Sequence, residues 1–442
     1  MQVRDTSSLN LLDGMSDLGS ECTARSLGCV SHVIGLTVES VGPRISVGDL
    51  VWIESEKQGE NKRIPAEVVG FKDRSVILMP IERLGGVRPG ARVIPGGRLQ
   101  VKAGPGLLGR VVDGLARPID GRPIEGKLDY VDIDNPAPAP MERHRLTEVF
   151  MTGVRAIDGP LTCAKGQRLG IFSGSGVGKS VLLGSLARNS SATVNVIALI
   201  GERGREVKDF LEKSLGSGLS KSVVVAATSD QSPLMRIKGA ATAMAIAEYF
   251  RDKGENVLLI MDSITRYAMA QREIGLAAGE PPTTKGYTPS VFGLLARLLE
   301  RSGNIGRGSI TAFFSVLVEQ DDLNDPIADA ARSILDGHIC LSRQLAEMNH
   351  YPAIDMLASI SRLMNDIVGR EHREIAGKMR TMMSVFRKAE DLINVGAYVP
   401  GANARIDEAV KKIDAINEFL RQQPDVATGW QDTVKGMTKA IS

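Results

Sequence analysis

An apolar run that breaks into glycines and then into a lysine–serine pair sets the narrowest limits on what this chain can fold into. In "RLGIFSGSGVGKSVLLG" the residues up to Phe172 read as a strand buried on both faces, and those after Gly178 as the start of a helix. Between them runs the pattern G-x-x-x-x-G-K-[ST], here Ser173, Gly174, Ser175, Gly176, Val177, Gly178, Lys179 and Ser180, with Val181 following. Ser173 stands where the strict motif has Gly. Gly174, Gly176 and Gly178 are free to take positive φ, which turns successive N–H groups inward, and the following helix offers its N-terminus. A loop so built holds phosphates. Lys179 is positioned to reach the β- and γ-phosphates of a nucleoside triphosphate, and the Ser180 hydroxyl to ligate Mg²⁺. The alternative is a glycine-rich turn without function, against which the flanking strand and helix argue.

Two further strand ends carry carboxylates. "NVLLIMDSITR" places Asp262 after a run of apolar residues, where it suits a water-mediated Mg²⁺ contact; a helix N-cap is the structural alternative. "IALIGERGRE" puts Glu202 and Arg203 at the same sheet edge, where open α/β sheets bind ligands. Glu202 could orient an attacking water and Arg203 meet phosphate oxygens; a surface ion pair is the structural alternative in this charge-rich segment.

Around this core the chain divides into four zones. Residues 1–20 carry Leu9, Leu12, Met15 and Leu18 at every third position, compatible with a short amphipathic helix that docks on a partner, or with a disordered terminus. Residues 21–100 hold short apolar runs cut by Gly, Pro and charge, as in "GDLVWIES" and "SVILMPI", which predict a small β-barrel. Its stacking aromatics are few, Trp52 and Phe71, so an assembly module fits better than an oligonucleotide-binding fold. "DNPAPAPMERHR" reads as an extended, hinge-like connector at 134–145. Residues 101–369 alternate strands and helices, predicting an α/β fold with a mostly parallel sheet, and residues 370–442 predict a helical segment.

Composition excludes several classes. With 442 residues, 43% hydrophobic and 24% charged, the chain has ample material for a core. A formal net charge of +2 argues for neither nucleic acid nor a membrane surface. Cys22, Cys29, Cys163 and Cys340 form no CxxC pair, which suits thiols in a reducing compartment. Without a signal peptide or spanning run, a cytoplasmic protein is expected.

These segments together resemble the type III secretion ATPases, hexameric relatives of the catalytic subunit of rotary ATP synthases, and among them the flagellar protein-export ATPases. The likeness rests on "GIFSGSGVGKSVLLG" (170–184), "GERGREV" (201–207), "PPTTKGYTPSVFGLLARLLERSG" (281–303), "DDLNDPIADAARSILDGHICLSR" (321–343), "HYPAIDMLASISR" (350–362) and "DLINVGAYVPG" (391–401), and covers nearly the whole chain after residue 20. It implies a β-barrel N-domain, a RecA-like P-loop ATPase core and a helical C-domain. By matching motif it implies ATP and Mg²⁺ as ligands, Lys179 and Ser180 as phosphate and Mg²⁺ contacts, Asp262 as the Walker B acid, Glu202 as the catalytic carboxylate and Arg203 as a phosphate contact. Tyr351 resembles the residue that stacks on adenine, with an ordinary half-buried tyrosine as its alternative. Arg362 resembles the arginine a neighbouring subunit inserts toward the γ-phosphate; on the residues alone it reads as a salt-bridge partner.

The resemblance further implies a homohexamer hydrolysing ATP to energise or regulate the unfolding and export of flagellar proteins. Its partners would be a stator-like regulator at the N-terminal tail, a central stalk protein, an export gate, export chaperones and their cargo. Nucleic acid is not among them. The ring would dock peripherally at the cytoplasmic face of a membrane-embedded gate. Glu202, which non-catalytic rotary subunits lack, favours one active chain type repeated around the ring. Ser173, and Gln320 in "LVEQDD" where export ATPases usually have Gly, depart from the family pattern without removing chemistry. An injectisome ATPase is the nearest alternative, against which "INVGAY" leans, since injectisome relatives more often carry an acidic residue after the Gly. A Rho-like RNA translocase and a non-enzymatic ring subunit are more distant ones.

Overall fold

Short runs cut by turn residues close into a barrel, and long apolar runs stack into a sheet. The computed structural model describes residues 26–57, 60–318 and 325–442; the tail at 1–20, Cys22 and the Gln320 departure lie outside these residues. The chain divides into two compact units, one reaching to Gly97 apart from Ile81–Arg83, the other comprising Ile81–Arg83 and Arg98–Ser442.

In the first unit, strands β1 (Gly28–Ile34), β2 (Thr37–Val41), β3 (Leu50–Lys57), β4 (Glu60–Lys72), β5 (Ser75–Pro80) and β6 (Arg92–Gly97) close in the order β1-β2-β5-β4-β3-β6, with β6 returning to β1. Alternation along each strand turns Val30, Val38, Val51, Ile53, Ala66, Val68, Val76, Leu78 and Val93 inward to form its core. Closure leaves no open strand edge.

The second unit is built on one sheet. Strands β7 (Arg110–Val112), β8 (Arg168–Ser173), β9 (Val194–Ile200), β10 (Ser222–Ala227), β11 (Asn256–Asp262), β12 (Gly308–Leu317), β13 (Gly337–Leu341) and β14 (Ile354–Ser361) lie in the order β14-β13-β8-β12-β11-β9-β10-β7. All pair in parallel except β14, which runs antiparallel to β13. Every residue of β9 and β10 is buried, as covering both faces requires. Alternate residues serve opposite cores: Val196, Ala198 and Ile200 pack on one side, Ile197 and Leu199 on the other. The edge strands β7 and β14 are not apparent in the sequence pattern, since β14 mixes polar and exposed residues.

Helices α1 (Lys179–Asn189), α2 (Gly204–Asp209), α3 (Pro233–Asp252), α4 (Ile264–Ala277), α5 (Pro289–Glu300) and α6 (Pro326–Ile334) supply the connections, followed by α7 (Arg370–Asn394), α8 (Ala404–Leu420) and α9 (Trp430–Ile441). Small residues on α3, among them Ala240, Ala243 and Ala247, let its backbone approach the sheet. Ser232 caps this helix by accepting from the Met235 N–H, and Pro233 occupies its first turn. The C-terminal helices share a core with the sheet: Met379, Ile416, Phe419, Leu420 and Met437 join Leu182, Leu183 and Leu186. Among the described residues no helix is long and apolar enough to cross a membrane. Cys163 and Cys340 are buried and Cys29 exposed, all three as free thiols.

The segment whose composition reads as a hinge is strapped down instead. Arg301, 5% exposed, forms a two-pronged pair with Glu248 at 2.8 Å and donates a third bond, also 2.8 Å, to the Ile133 carbonyl. Asn135 Nδ2 donates to the same Glu248 carboxylate at 2.8 Å. Arg143, at the far end, donates to the backbone carbonyls of Ser302 and Glu300. Pro and Ala keep the strap extended, and buried charge fixes it. Replacing Glu248 with Ala strands a buried guanidinium, and we expect a loss of about 3–5 kcal/mol. Chemical denaturation of the purified variant checks this; a loss below ~1 kcal/mol would show that the pair does not anchor the connector.

Candidate active site

β8 delivers its phosphate-binding loop at the C-terminal edge of the sheet. The loop's left-handed residues are Gly176 (φ 78°) and Gly178 (φ 87°), where a side chain would be strained; Gly174, the first glycine of the motif, is not left-handed. Val177 is buried to 2% and pins the loop to the core, whereas Ser175 is exposed and its carbonyl accepts from Arg343 at 3.4 Å. Ser173 is buried to 1% with no partner for its hydroxyl. Lys179 and Ser180 open α1, with Ser180 and Val181 facing solvent.

Strand register decides what faces the lysine. β12 lies between β8 and β11, so Ser315 stands level with Ile171 on one side and one residue past the Phe314–Met261 pair on the other. Lys179 Nζ donates to Asp262 Oδ1 at 2.5 Å and to Ser315 Oγ at 3.3 Å, while Ser315 Oγ donates to the same Asp262 oxygen at 2.6 Å. Asp262 is 4% exposed and Ser315 fully buried, so the ion pair sits in a low-dielectric pocket. The helix N-cap that Asp262 could have supplied falls instead to Ser263, whose hydroxyl accepts from the Arg266 N–H.

Glu202 leaves the end of β9 toward this pair. Burial, a hydrogen bond with Glu206 and the nearby Asp262 charge push its carboxyl up to about 8, against the opposing pull of Lys179. Glu206, on the first turn of α2, is held below its ordinary value chiefly by the same hydrogen bond. Their hydrogen bond therefore moves the two carboxyls in opposite directions, Glu202 up and Glu206 down. The sequence pattern does not single out Glu206, although its spacing, four residues after Glu202, is the one available signal. The same is true of Arg266, four residues after Asp262. Its side chain lies against Gly201, and its Nε is buried without a partner. Arg203 is not brought in: its side chain is 81% exposed and its near partner is Glu206 at 3.8 Å, the surface pair the local pattern allows.

Tyr351 lies over the loop. A Cβ on Gly178 would come within 3.2 Å of its ring, and the ring borders a cavity of about 1020 Å³ that Gly176, Gly178, Val181, Gln422 and Pro424 also line. That is the upper end of small-ligand pockets. Gln422, which no sequence motif marks, ties the wall together. Its N–H donates to the Tyr351 carbonyl (2.9 Å), its side-chain oxygen accepts from the Arg155 N–H (2.7 Å), and its amide donates to the Gly153 carbonyl (2.7 Å).

Arg362 stands apart from all of this. Ser361 pairs with Gly337, next to the His338 that pairs with Gly170, so Arg362 emerges at the sheet edge opposite the loop. At ~3.3 Å per residue it starts roughly 17 Å below Ser173. It is exposed and donates to the Arg332 carbonyl at 3.1 Å. The salt-bridge alternative finds no carboxylate partner among the described residues.

The residues fit a nucleoside triphosphate with a divalent cation. The cradle of Gly176 and Gly178 stands beside Lys179, and Arg266 adds a buried donor lacking an acceptor. Mg²⁺ needs only one or two carboxylates once phosphate oxygens and waters complete its shell, so Asp262 with the Ser180 hydroxyl suffices. Among the described residues no cluster of three or more metal-binding side chains exists, and such a site requires none. A cradle, a lysine and a carboxylate at the edge of a mostly parallel sheet define a RecA-like P-loop ATPase. Residues 153–361 match the ATP synthase alpha/beta family, nucleotide-binding domain, and residues 368–439 the T3SS EscN ATPase C-terminal domain. The chain is 52% identical to the flagellum-specific ATP synthase of Bacillus subtilis over 93% of its own length and 94% of that protein. It is 49% identical to the type 3 secretion system ATPase of Xanthomonas euvesicatoria, over 96% of each. The assembled ATPase EscN from enteropathogenic E. coli, solved in complex with its central stalk EscO, superposes with a TM-score of 0.86 at 41% identity, covering 94% of this chain and all of that one. The chain belongs to the family of flagellum-specific ATP synthases and type 3 secretion system ATPases, and it is an ATP hydrolase.

With its carboxyl pushed up to about 8, Glu202 would have to ionise before it could act as a base. Glu206→Gln removes the neighbouring negative charge, so the Glu202 pKa should fall. We expect the acidic limb of the kcat/KM–pH profile, which reports the free enzyme, to move to lower pH in this variant. A limb that stays in place would mean that the pair does not set the titration.

Proposed function

We propose that this ATPase works as a homohexameric ring that hydrolyses Mg²⁺-ATP to energise or regulate the unfolding and export of flagellar proteins through a type III secretion apparatus. The observation that carries the reading is the convergence of Lys179, Asp262 and Glu202 at one sheet edge beside the loop. In this mechanism the Lys179 ammonium leaves Asp262 for the β- and γ-phosphates of arriving ATP. Mg²⁺, held by Ser180 and by waters on Asp262, would neutralise charge developing on the phosphates. Glu202, once ionised, orients a water for attack on the γ-phosphorus and takes its proton as the bond to the departing ADP oxygen breaks. Tyr351 stacks on the base. Arg203, solvated in the isolated chain, keeps at most a phosphate contact made on closure.

Arg362 acts on the neighbour's nucleotide in this reading, because it leaves the sheet on the wrong side to reach its own. A donated arginine is worth about 10³–10⁵ in rate. Lys179→Ala and Arg362→Ala should each be inactive alone. Mixed rings would contain interfaces with an intact Lys179 on one chain and an intact Arg362 on the next, so co-assembly should restore part of the activity. Co-assembled mixtures without recovery would reject the trans role.

The proposed partners follow the family. The tail at 1–20 binds a stator-like regulator, the ring holds a central stalk, and an export gate, chaperones and cargo meet it at the cytoplasmic face of the membrane. EscN solved together with its central stalk EscO supports the stalk among these partners. The injectisome role is the second reading, favoured by the similar identity to the Xanthomonas protein. Deleting the gene should abolish motility and leave effector secretion intact; the reverse pattern would assign the chain to an injectisome.

A further inference from the structure

The strand between the lysine and the aspartate carries a hydroxyl that the mechanism above does not use. Ser315 is fully buried on β12, and its register with β8 and β11 places it between the two charged groups. A serine hydroxyl has one proton to give and two lone pairs to receive. Here both capacities are engaged: the proton goes to Asp262 Oδ1 at 2.6 Å, and a lone pair receives Lys179 Nζ at 3.3 Å.

We infer that Ser315 is a positioning residue for the Mg²⁺ site, holding Asp262 in place when Lys179 transfers to the phosphates. The inference rests on the assignment of Asp262 to Mg²⁺ made above.

Before nucleotide arrives, Asp262 has two donors on the same oxygen, Lys179 at 2.5 Å and Ser315. The ammonium cannot serve the carboxylate and the phosphates equally well. Once it turns to the phosphates, Ser315 is the remaining side-chain donor that the structure gives Asp262. A buried carboxylate without a donor is costly, and it rotates or shifts toward another donor. Either response spoils its hold on metal-bound water. Ser315 prevents this because its place on the central strand is set by backbone pairing on both sides, independent of the loop and of α1. The same hydroxyl gives Lys179 a second acceptor, so the ammonium's transfer exchanges contacts stepwise rather than all at once.

Outer partners of metal ligands are worth about 10–100-fold in metal affinity or activity when removed. Ser315→Ala keeps the Lys179–Asp262 pair and changes a small buried volume, so nucleotide-free protein should stay folded. The experiment titrates the full-length protein with a fluorescent non-hydrolysable ATP analogue, in excess EDTA and in Mg²⁺, and reads the gain in affinity that Mg²⁺ confers. Ser315→Ala should cut the Mg²⁺-dependent gain roughly tenfold, over and above any loss of affinity in EDTA. Ser315→Thr, which retains the hydroxyl, should restore it. In an Asp262→Asn background Ser315→Ala should have no further effect on that gain.

The outcomes separate the two readings. If Asp262→Asn abolishes the gain while Ser315→Ala leaves it whole, Ser315 is a structural residue only and the inference falls. If Asp262→Asn itself leaves the gain whole, the assignment of Asp262 to Mg²⁺ falls first. A Ser315→Ala protein that loses nucleotide affinity equally in EDTA and in Mg²⁺, or that Thr does not rescue, also overturns the inference. Should the alanine variant fail to fold, Ser315→Cys, close in size with a weaker donor, provides the same comparison.

Discussion

A lysine ammonium and an aspartate carboxylate meet 2.5 Å apart in a pocket that excludes most water, and the rest of the second unit is arranged around that meeting. Burying either charge alone would cost several kcal/mol. The two offset each other only because β8 and β11 are held one strand apart by β12, which makes their separation a property of the sheet. The pair is also incomplete as a resting place. The loop beside it offers N–H groups and helix dipole to an anion, so in the proposed mechanism an arriving triphosphate would compete with Asp262 for the lysine and leave the carboxylate free to hold metal-bound water. One ionic contact thus holds the two charged groups together and, in that mechanism, would be exchanged when the substrate binds.

That geometry follows from how the parallel sheet is buried. Helices on both faces require strands apolar on both faces, and chemistry is then confined to strand ends, where the chain turns into a loop or helix. Ser173, Asp262 and Leu317 end three neighbouring strands along one edge, Glu202 follows the end of a fourth by two residues, and the functional groups lie there or within a turn of it. Ser315 is the exception: a hydroxyl inside a strand, where β12 is otherwise nearly all buried and mostly apolar. It is tolerated because both of its hydrogen-bonding directions are satisfied.

What is legible in the sequence divides along the same line. The phosphate loop, Asp262 and Glu202 can be read because each follows an apolar run that marks a strand, and the polar or charged residue after it marks the edge. The barrel's short alternating runs are legible for the same reason. Glu206, Arg266 and Ser315 are not, because their roles depend on which strands and helices become neighbours, and pairing across the sheet leaves no trace in local spacing. Gln422 is an extreme case, lying 267 residues from the Arg155 whose N–H it accepts. The Pro-Ala connector shows the opposite error: its composition marks it as extended, but whether it swings depends on Arg301 and Glu248, far along the chain. Arg203 sits next to Glu202 in sequence, yet the turn into α2 sends it outward.

The polarity of the last two strands carries the argument from one chain to an assembly. Had β14 run parallel to β13, its C-terminal end would have brought Arg362 to the same edge as Lys179. A short return from Leu341 to Ile354 instead makes the pair antiparallel, so Tyr351 stays beside the loop while the strand leads away from it. One strand therefore has its beginning at this chain's nucleotide cavity and its end, with Arg362, on the far side of the sheet. An arginine with no carboxylate partner among the described residues, held by the Arg332 carbonyl and facing solvent, has its charge uncompensated within them. In the proposed ring of identical chains every such end would face a neighbour, and each active site would draw its loop, carboxylates and base-stacking ring from one subunit and its last cation from the next. Antiparallel closure of a single edge strand is the structural step that makes such sharing geometrically available.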